Sequence, residues 1–214
     1  MLARDRLVVA LRARGIADER VLSAMATVPR HEFVPDTLEP HAYDDMPLAI
    51  GWGQTISQPF VVAIMVEKLA LRGDERVLEV GTGSGYAAAV CGSLAARVDT
   101  IERIDELADL AEARLMRLGY DHVHVHRGDG SLGLPGFGPF DAIVVAAGAP
   151  DAPPSLLAQL AAGGRLVMPL GSVHDQHLVR ITPAEHGTYS QRDFGDVRFV
   201  PLIGAEAWPE RSVH

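Results

Sequence analysis

The sequence predicts an α/β protein in which helices cover both faces of a mostly parallel sheet. Two patterns lead to this fold class. From residue 76 onward, short apolar runs of strand type alternate with helical patterns, as they do in parallel sheets. Near the C-terminus, residues 177–182 and 194–203 indicate adjacent strands with no helix between them, so an antiparallel pair should close the sheet.

The N-terminal third of the chain lacks this alternation and is predicted to form a helical and loop-rich cap. Apolar residues at helical spacing predict helices over 3–14, 18–28 and 58–70, and prolines and glycines predict a loop-rich stretch over 30–56. Ser57 is expected to be the N-cap of the third helix, with Pro59 in its first turn.

The core is predicted to begin at residue 76. Its expected strands are 76–80, 97–102, 122–126, 140–147 and 164–170, and its expected helices are 85–96, 105–118 and 153–161. No linker or internal repeat interrupts the chain. Residues 1–214 are therefore predicted to form a single domain, with the cap at 1–75 and the core at 76–214.

A glycine-rich junction follows the first core strand. Gly81, Gly83 and Gly85 alternate just before an alanine-rich helix, where open α/β sheets bind nucleotides. A dinucleotide site would need a further glycine where this chain has Tyr86, and no phosphate-loop lysine follows. Glu79 adds a negative charge that would repel a phosphate and attract a cation. The loop therefore favours S-adenosylmethionine, which carries a sulfonium and an ammonium group but no phosphate, over NAD or ATP.

Two acidic residues follow the next two predicted strands. Glu102 ends the strand 97–102, about 20 residues beyond the glycines, where an acid typically accepts hydrogen bonds from both ribose hydroxyls. Asp129, within Gly128-Asp129-Gly130, could accept a hydrogen bond from the adenine amino group. The glycine loop, Glu102 and Asp129 thus follow three successive strands, and together they favour binding of S-adenosylmethionine.

Composition limits the partners of this protein. A net charge of −9 with one lysine argues against a broad surface for nucleic acid or anionic membrane. No run approaches the ~20 apolar residues of a membrane span, and the N-terminus does not resemble a signal peptide. The single cysteine, Cys91, cannot form an internal disulfide. We expect a soluble cytoplasmic protein, monomeric, without nucleic-acid or membrane partners.

Alternating histidines at 122, 124 and 126 have a spacing that could chelate a metal ion from one face of a strand. No nearby carboxylate or cysteine completes a ligand set, so we predict no metal site there.

Several segments together carry a resemblance to a known family. They are RHEFVP at 30–35, QTISQP at 54–59, VLEVGTGSGY at 77–86, GDG at 128–130, FDAI at 140–143, GGRLVMP at 163–169 and VRFVPL at 197–202. The chain resembles the protein-L-isoaspartate O-methyltransferase family along nearly its whole length. The glycine loop is shared by many methyltransferases, whereas the segment 54–59 is the specific part of the resemblance.

The resemblance implies a three-layer Rossmann-like methyltransferase fold and a reaction. The reaction is methylation of the free α-carboxylate of an L-isoaspartyl residue in a damaged protein or peptide, with S-adenosylmethionine as donor; the ester then cyclises to a succinimide. The family's active-site serine corresponds to Ser57. The implied cofactor-binding positions are Gln54, Thr55, Ile56, Glu79, Gly81, Thr82, Gly83, Gly85, Glu102, Arg103, Gly128 and Asp129. Phe60 departs from relatives that have histidine or tyrosine there, which leaves any role of that side chain open.

Other functions remain compatible with the same motifs. A tailoring methyltransferase acting on an aspartate or isoaspartate of one specific peptide could share segment 54–59, although nothing in the chain looks like an added recognition region. A non-catalytic partner protein could bind S-adenosylmethionine, although the intact Ser57 and glycine loop argue against it. A NAD-dependent oxidoreductase is disfavoured by the missing fingerprint glycine.

Overall fold

The computed structural model describes residues 3–210. The helices are α1 (Ala3–Ala13), α2 (Glu19–Thr27), α3 (Pro59–Leu69), α4 (Tyr86–Gly92), α5 (Asp105–Arg117) and α6 (Pro154–Ala158). The strands are β1 (Leu48–Gly51), β2 (Gln54–Ile56), β3 (Arg76–Val80), β4 (Arg97–Glu102), β5 (Val123–Arg127), β6 (Phe140–Val145), β7 (Leu160–Gly171), β8 (Gln176–Pro183) and β9 (Tyr189–Val197). Short 3-10 helices span Arg30–Phe33, Asp36–His41, Gly130–Leu132 and Glu185–Gly187.

Seven strands form one sheet in the order β5-β4-β3-β6-β7-β8-β9. The strands from β5 to β7 run parallel, whereas β8 is antiparallel to both β7 and β9. This confirms the predicted mostly parallel sheet with an antiparallel C-terminal pair. The strand order reverses at β3, which lies between β4 and β6. In open α/β sheets this reversal creates a crevice outside the carboxyl ends of the strands.

Side chains of the central strands alternate between two hydrophobic clusters, one on each face of the sheet. Val77 of β3 packs in a cluster with side chains from α1 to α5, whereas Leu78 and Val80 pack in the opposite cluster with Leu156 of α6. Such alternation follows from the two-residue period of a strand. The result is the expected three-layer arrangement, confirmed by the structure.

The N-terminal helices pack directly into the first of these clusters. Leu11 of α1, Met25 of α2 and Leu69 of α3 are each fully buried in it, together with Val77 of the sheet. The cap therefore shares its apolar core with the sheet. None of the helices in residues 3–210 combines the length and the apolarity needed to cross a bilayer.

The stretch 30–56, predicted as loops, contains the β1–β2 hairpin. Its turn consists of Trp52 (φ 50°) and Gly53 (φ 71°), and positive φ values at both central residues suit the twist of a two-residue hairpin. Asparagine or aspartate usually precedes the glycine in such turns, and tryptophan in that place hid the signal from the sequence.

The predicted N-cap role of Ser57 is wrong. Helix α3 begins at Pro59 with Gln58 as its N-cap residue, and Gln58 makes no side-chain capping bond. Asp45 supplies the cap instead, because its Oδ1 accepts a hydrogen bond from the Phe60 N–H at 2.9 Å. A carboxylate from a distant loop thus performs the capping and leaves the Ser57 side chain free of it.

Four further elements have boundaries that differ clearly from the prediction. Helices α4 and α6 end at Gly92 and Ala158, earlier than predicted, and β7 starts at Leu160. Strand β9 spans Tyr189–Val197, so the predicted strand 194–203 is wrong in its second half. There the buried side-chain amide of Gln176 forms two hydrogen bonds with the backbone of Phe199. Its Oε1 accepts from the Phe199 N–H at 2.8 Å, and its Nε2 donates to the Phe199 carbonyl oxygen at 3.2 Å. The chain then pairs with Gly148, through bonds of 2.8 Å to residues 200 and 202, and crosses the carboxyl ends of the strands.

Candidate active site

A cleft opens at the carboxyl ends of β3, β4 and β6, where the strand order reverses. Six parts of the chain line it: the hairpin and the residues after it, the glycine loop with the start of α4, the end of β4, the turn after β5, the residues after β6, and the C-terminal residues 200–203. The lining residues are Gln54, Thr55, Ile56, Ser57, Val62, Glu79, Val80, Gly81, Thr82, Gly83, Ser84, Tyr86, Ala87, Ile101, Glu102, Arg103, Gly130, Ala146, Ala147, Val200, Pro201, Leu202 and Ile203.

The glycine loop needs its glycines for two different reasons. Gly81, Gly83 and Gly85 all have positive φ values, of 91°, 53° and 88°, which strain other residues. Gly85 precedes α4, and a Cβ there would lie 3.3 Å from the Cδ1 of Leu115 on α5. Gly81 and Gly83 line the cleft with backbone alone, whereas Gly85 lets α4 and α5 approach each other.

Glu102 has a carboxylate that backbone donors hold in a fixed orientation. Its Oε2 accepts from the Gly83 N–H at 2.9 Å, and its Oε1 accepts from the N–H groups of Arg103 at 3.0 Å and Ile104 at 3.1 Å. The glycine loop and the end of β4 are thereby joined through one side chain. Carboxylate oxygens have about two acceptor sites each, so the Oε2 of Glu102, which accepts one of these three bonds, can accept a further hydrogen bond from a ligand.

Glu79 is the most deeply buried acid of the cleft, with 1% of its surface exposed. Its Oε2 accepts a hydrogen bond from the Thr100 hydroxyl at 2.6 Å, and Thr100 lies 2.7 Å from the Thr82 hydroxyl. Its Oε1 has no partner among residues 3–210. Burial raises the pKa of Glu79 to about 8, against the lowering effect of the Thr100 bond and with a further increase from the charge of Glu102. An unsatisfied buried carboxylate oxygen is costly, and a cation in the cleft would relieve that cost.

Ser57 lies where the cleft meets a second groove. Thr55, Ser57, Ala146 and Val200 line both, and the groove continues along Arg14, Pro47, Gln58, Phe60, Val61, Asp196, Val197, Arg198 and Phe199. The Ser57 side chain is half-buried, and the hydroxyl has no hydrogen-bond partner in the described part of the chain. The serine thus presents a free donor at the junction of two spaces.

The structure brings most of the sequence-predicted residues to the cleft. Three of the predicted residues are exceptions. Gly85 lies behind the loop, and Gly128 and Asp129 are not among the lining residues, although the neighbouring Gly130 is. Asp129 Oδ1 accepts from the Ser131 N–H and hydroxyl, and its Oδ2 accepts from the Ala205 N–H at 2.7 Å.

Sequence reasoning missed two parts of the lining: Ala146 and Ala147 after β6, and residues 200–203. Ala146 and Ala147 carry no chemical signal, but their place after a predicted strand at the sheet's carboxyl edge could have indicated them. Residues 200–203 were interpreted as part of a strand, which hid their position over the cleft.

The charges of the lining fit a cationic nucleoside without phosphate. Arg103 is the only arginine in the lining, and no lysine is present, whereas Glu79 and Glu102 are both there. Phosphate sites commonly use several cationic side chains or a lysine-bearing loop, whereas the residues that line this cleft offer one arginine beside two acids.

Comparison with known proteins identifies the family. The family model for protein-L-isoaspartate(D-aspartate) O-methyltransferase (PCMT) matches residues 2–207. The chain belongs to this family. A protein-L-isoaspartate O-methyltransferase of Rhodopseudomonas palustris is 55% identical over 199 residues, covering 92% of this chain and 91% of that protein. Protein-L-isoaspartate O-methyltransferase 2 of Marinobacter nauticus is 57% identical over 197 residues, covering 92% and 90%.

Solved structures of the family share the fold. One protein-L-isoaspartate O-methyltransferase superposes with a TM-score of 0.84 at 28% identity, covering 95% of this chain and 67% of that one. A Plasmodium falciparum protein assigned to the same family, solved with S-adenosyl-L-homocysteine, gives a TM-score of 0.82 at 27% identity and covers 94% and 99%. The chain is thus an S-adenosylmethionine-dependent methyltransferase acting on L-isoaspartyl residues of proteins, a repair reaction. The fold, the enzyme class and the cofactor predicted from the sequence are confirmed.

Proposed function

We propose that the cleft holds the methyl donor, that the adjoining groove holds the isoaspartyl peptide, and that Ser57 aligns the two. The observation that carries this proposal is the position of Ser57, whose free hydroxyl lies where the two spaces meet. The acceptor is the free α-carboxylate of the L-isoaspartyl residue in a damaged protein, and the methyl ester leads to repair through a succinimide.

On the donor side, each buried acid has a distinct part. Glu102 accepts hydrogen bonds from the ribose hydroxyls, because backbone donors already fix its carboxylate. Glu79 faces the cationic end of the donor, whose positive charge favours the ionised form of this carboxyl, and Thr82 completes the hydroxyl chain to Thr100. Gln54, Thr55 and Ile56 cover the donor from the hairpin, and Gly81, Gly83 and Arg103 lie along it.

For adenine, Gly128 and Asp129 stay predicted contacts. The carboxylate of Asp129 already accepts hydrogen bonds from Ser131 and Ala205, so a bond from the adenine amino group would share those oxygens. Gly130, which lines the cleft, brings the same turn to the base.

The chemistry requires positioning more than proton transfer. S-adenosylmethionine supplies, when bound, a methyl group activated by a positively charged sulfur. A carboxylate with an ordinary pKa near ~4 is already ionised at neutral pH, so the chain needs no general base. Ser57 donates a hydrogen bond to one carboxylate oxygen and leaves the other aimed at the methyl carbon. The walls of the cleft exclude water from two oppositely charged partners, and alignment of this kind lowers the barrier of displacement reactions.

The partners of the chain under this proposal are proteins and peptides containing isoaspartyl residues, with neither nucleic acid nor membrane. The net charge of −9 and the lone, fully buried Cys91 support a cytoplasmic protein without disulfides. A monomeric state is part of the same proposal, and gel filtration at working concentration tests it.

We expect Ser57→Ala to lower methyl transfer by at least about tenfold, the loss of one hydrogen bond to a charged group, while the affinity for S-adenosylhomocysteine is kept. Transfer is measured with methyl-labelled donor and an isoaspartyl peptide. Ser190→Ala, an exposed serine of β9 remote from both lining sets, is the matched control. Near-normal turnover by the Ser57 variant would show that the serine has no such role.

The acceptor class is tested in the same assay with the normal aspartyl twin of the peptide. Label on the isoaspartyl form alone supports repair. Label on one dedicated sequence only would indicate a tailoring enzyme, and no label on either peptide would indicate a non-catalytic binding protein.

A further inference from the structure

Arg30 is the largest side chain that is fully buried in the described part of the protein. It belongs to the 3-10 helix Arg30–Phe33, and its exposed fraction is 0%. Burying an arginine is costly, since both its charge and its five donors lose water. No carboxylate among residues 3–210 lies within ion-pair distance of it, and its Nη1 has no hydrogen-bond partner there. A feature of this cost calls for an explanation beyond packing.

The contacts of the Arg30 guanidinium connect both sides of the site. Its Nη2 donates to the carbonyl oxygen of Ser57 at 2.8 Å, and its Nε donates to the carbonyl oxygen of Ala42 at 2.8 Å. Its central carbon lies 4.7 Å from the centre of the Tyr86 ring. Tyr86 is the first residue of α4, directly after the glycine loop, and lines the cleft. One planar group therefore holds the backbone of Ser57 and lies over the ring of Tyr86, at the start of the helix that follows the glycine loop.

We propose that Arg30 is a positioning residue for methyl transfer, which fixes the Ser57 backbone relative to the glycine-loop helix. This inference rests on the proposed function of Ser57. Arg30 has no direct contact with either substrate in this proposal. It acts by holding the residue 57 carbonyl in place, so that the hydroxyl of the same residue keeps its direction toward the acceptor carboxylate.

The planar, forked shape of arginine is what this place requires. A guanidinium can donate in two directions within its plane and stack its face on a ring at the same time, whereas a lysine ammonium is a compact point charge that cannot. Burial lowers the pKa of Arg30 from its ordinary value, with the nearby Tyr86, Asp45 and Tyr43 acting in the opposite direction. The same burial would lower the pKa of a lysine at this position toward the pH at which the enzyme works, so that part of the lysine side chains would lose their charge. Lysine should therefore replace Arg30 only in part.

The test is a double-mutant cycle between positions 30 and 57, read as turnover of an isoaspartyl peptide per folded enzyme. Arg30→Met keeps the apolar length and removes both hydrogen bonds. We expect it to lower kcat by at least about tenfold, with the peptide KM and the calorimetric Kd of S-adenosylhomocysteine each within about threefold of the parent. In the Ser57→Ala background the same substitution should lower kcat by less than about threefold, because the hydroxyl it positions is already gone. Arg30→Lys should recover part of the loss.

The matched control is Arg165→Met. Arg165 is a partly buried arginine that, like Arg30, donates to backbone carbonyl oxygens, those of Leu69, Ala70 and Asp141. It also pairs with Glu75 at 2.9 Å, and it does not line the cleft or the groove. It should lower the Tm and leave kcat per folded enzyme unchanged. A purely structural role of Arg30 would give the same pattern.

The outcomes separate the two proposals. If Arg30→Met lowers kcat equally in both backgrounds, or not at all, the positioning role is overturned while the role of Ser57 stands. If Ser57→Ala alone turns over normally, the proposed function of Ser57 has failed and this inference fails with it. If Arg30→Met does not fold, the cycle is run with Arg30→Lys, and an equal loss in both backgrounds overturns the proposal in the same way.

Discussion

At the scale of single residues, the site depends on polar groups that the protein buries without full compensation. Glu79 leaves one carboxylate oxygen unpaired, and Arg30 leaves one guanidinium nitrogen unpaired. Each such group lowers the stability of the fold, yet both lie at the proposed site, Glu79 in the lining of the cleft and Arg30 against the backbone of Ser57. Strain and unsatisfied polar groups of this kind concentrate where a ligand is to be bound.

The raised pKa of Glu79, about 8, predicts how stability changes with pH. Between its ordinary pKa near ~4.5 and 8, the folded protein keeps a proton that the unfolded chain has released. The contribution of Glu79 to the free energy of unfolding therefore falls as pH rises through this window and levels off above it. Glu79→Gln cannot lose a proton. Relative to the parent, this variant should become more stable by at least about 1 kcal/mol between pH 5.5 and pH 8, as measured by urea unfolding without ligand.

The exposed Glu39→Gln is the control for the Glu79 experiment and should shift stability alike at both pH values. An equal effect of Glu79→Gln at the two pH values would mean that the carboxyl is ionised throughout.

At the scale of elements, α3 shows how a helix start and the serine proposed to act in methyl transfer are kept apart. The sequence favoured Ser57 as the cap, because serine two residues before a proline is a common helix start. The structure assigns that task to Asp45, whose Oδ1 binds the Phe60 N–H and whose backbone carbonyl accepts from the Gln58 side chain. No local pattern could reveal this, since Asp45 lies in a loop 15 residues before Phe60.

We expect Asp45→Ala to lower the free energy of unfolding by about 1–2 kcal/mol, the usual cost of a lost helix cap. The neighbouring Asp44→Ala is the matched control, since Asp44 is exposed and pairs with His41 alone, and it should change stability by no more than about 0.5 kcal/mol. Chemical denaturation measures both. Equal effects of the two substitutions would contradict the capping role of Asp45.

Local patterns were sufficient for the parallel core and insufficient where distant residues decide. The strands at 76–80 and 97–102 were predicted with their observed boundaries, because β-branched runs end at acids or glycines there. The acids Glu79 and Glu102 could likewise be placed, since each ends or nearly ends a strand. The hairpin turn at Trp52 and the end of β9 could not, because a tryptophan with positive φ and the side chain of Gln176 determine them.

At the scale of the whole molecule, the C-terminal segment, residues 198–207, packs against both hydrophobic clusters of the core and also lines the cleft. Residues 200–203 line the cleft, and Ala205 and Glu206 donate backbone hydrogen bonds to Asp129 and Ser131. The segment is thus attached at both ends, at Phe199 by Gln176 and beyond the cleft by the turn after β5. A ligand in the cleft is covered by chain that is held in place from two directions.

Gln176→Leu should loosen this cover, because the N–H and carbonyl of Phe199 would lose their buried partners. We expect amide hydrogen exchange over residues 198–207 to accelerate by at least about tenfold, with the centre of β3 unchanged. Gln191→Leu, at an exposed position of β9, is the control. Unaltered exchange in the segment would mean that the contacts near Asp129 suffice to hold it.

The packing of α3 determines when the segment that contains Ser57 can fold during synthesis of the chain. This helix packs against β6, β7 and β8, all of which follow it in the chain. Ser57 leaves the ribosome early, but the surface that holds its segment is incomplete until Pro183 at the end of β8 has been synthesised. Since a domain folds as a unit once its distant contacts can form, we expect Ser57 to reach its folded position only after β8 has been made. We expect a nascent chain stopped before β8 to carry every residue of the glycine loop without an assembled site.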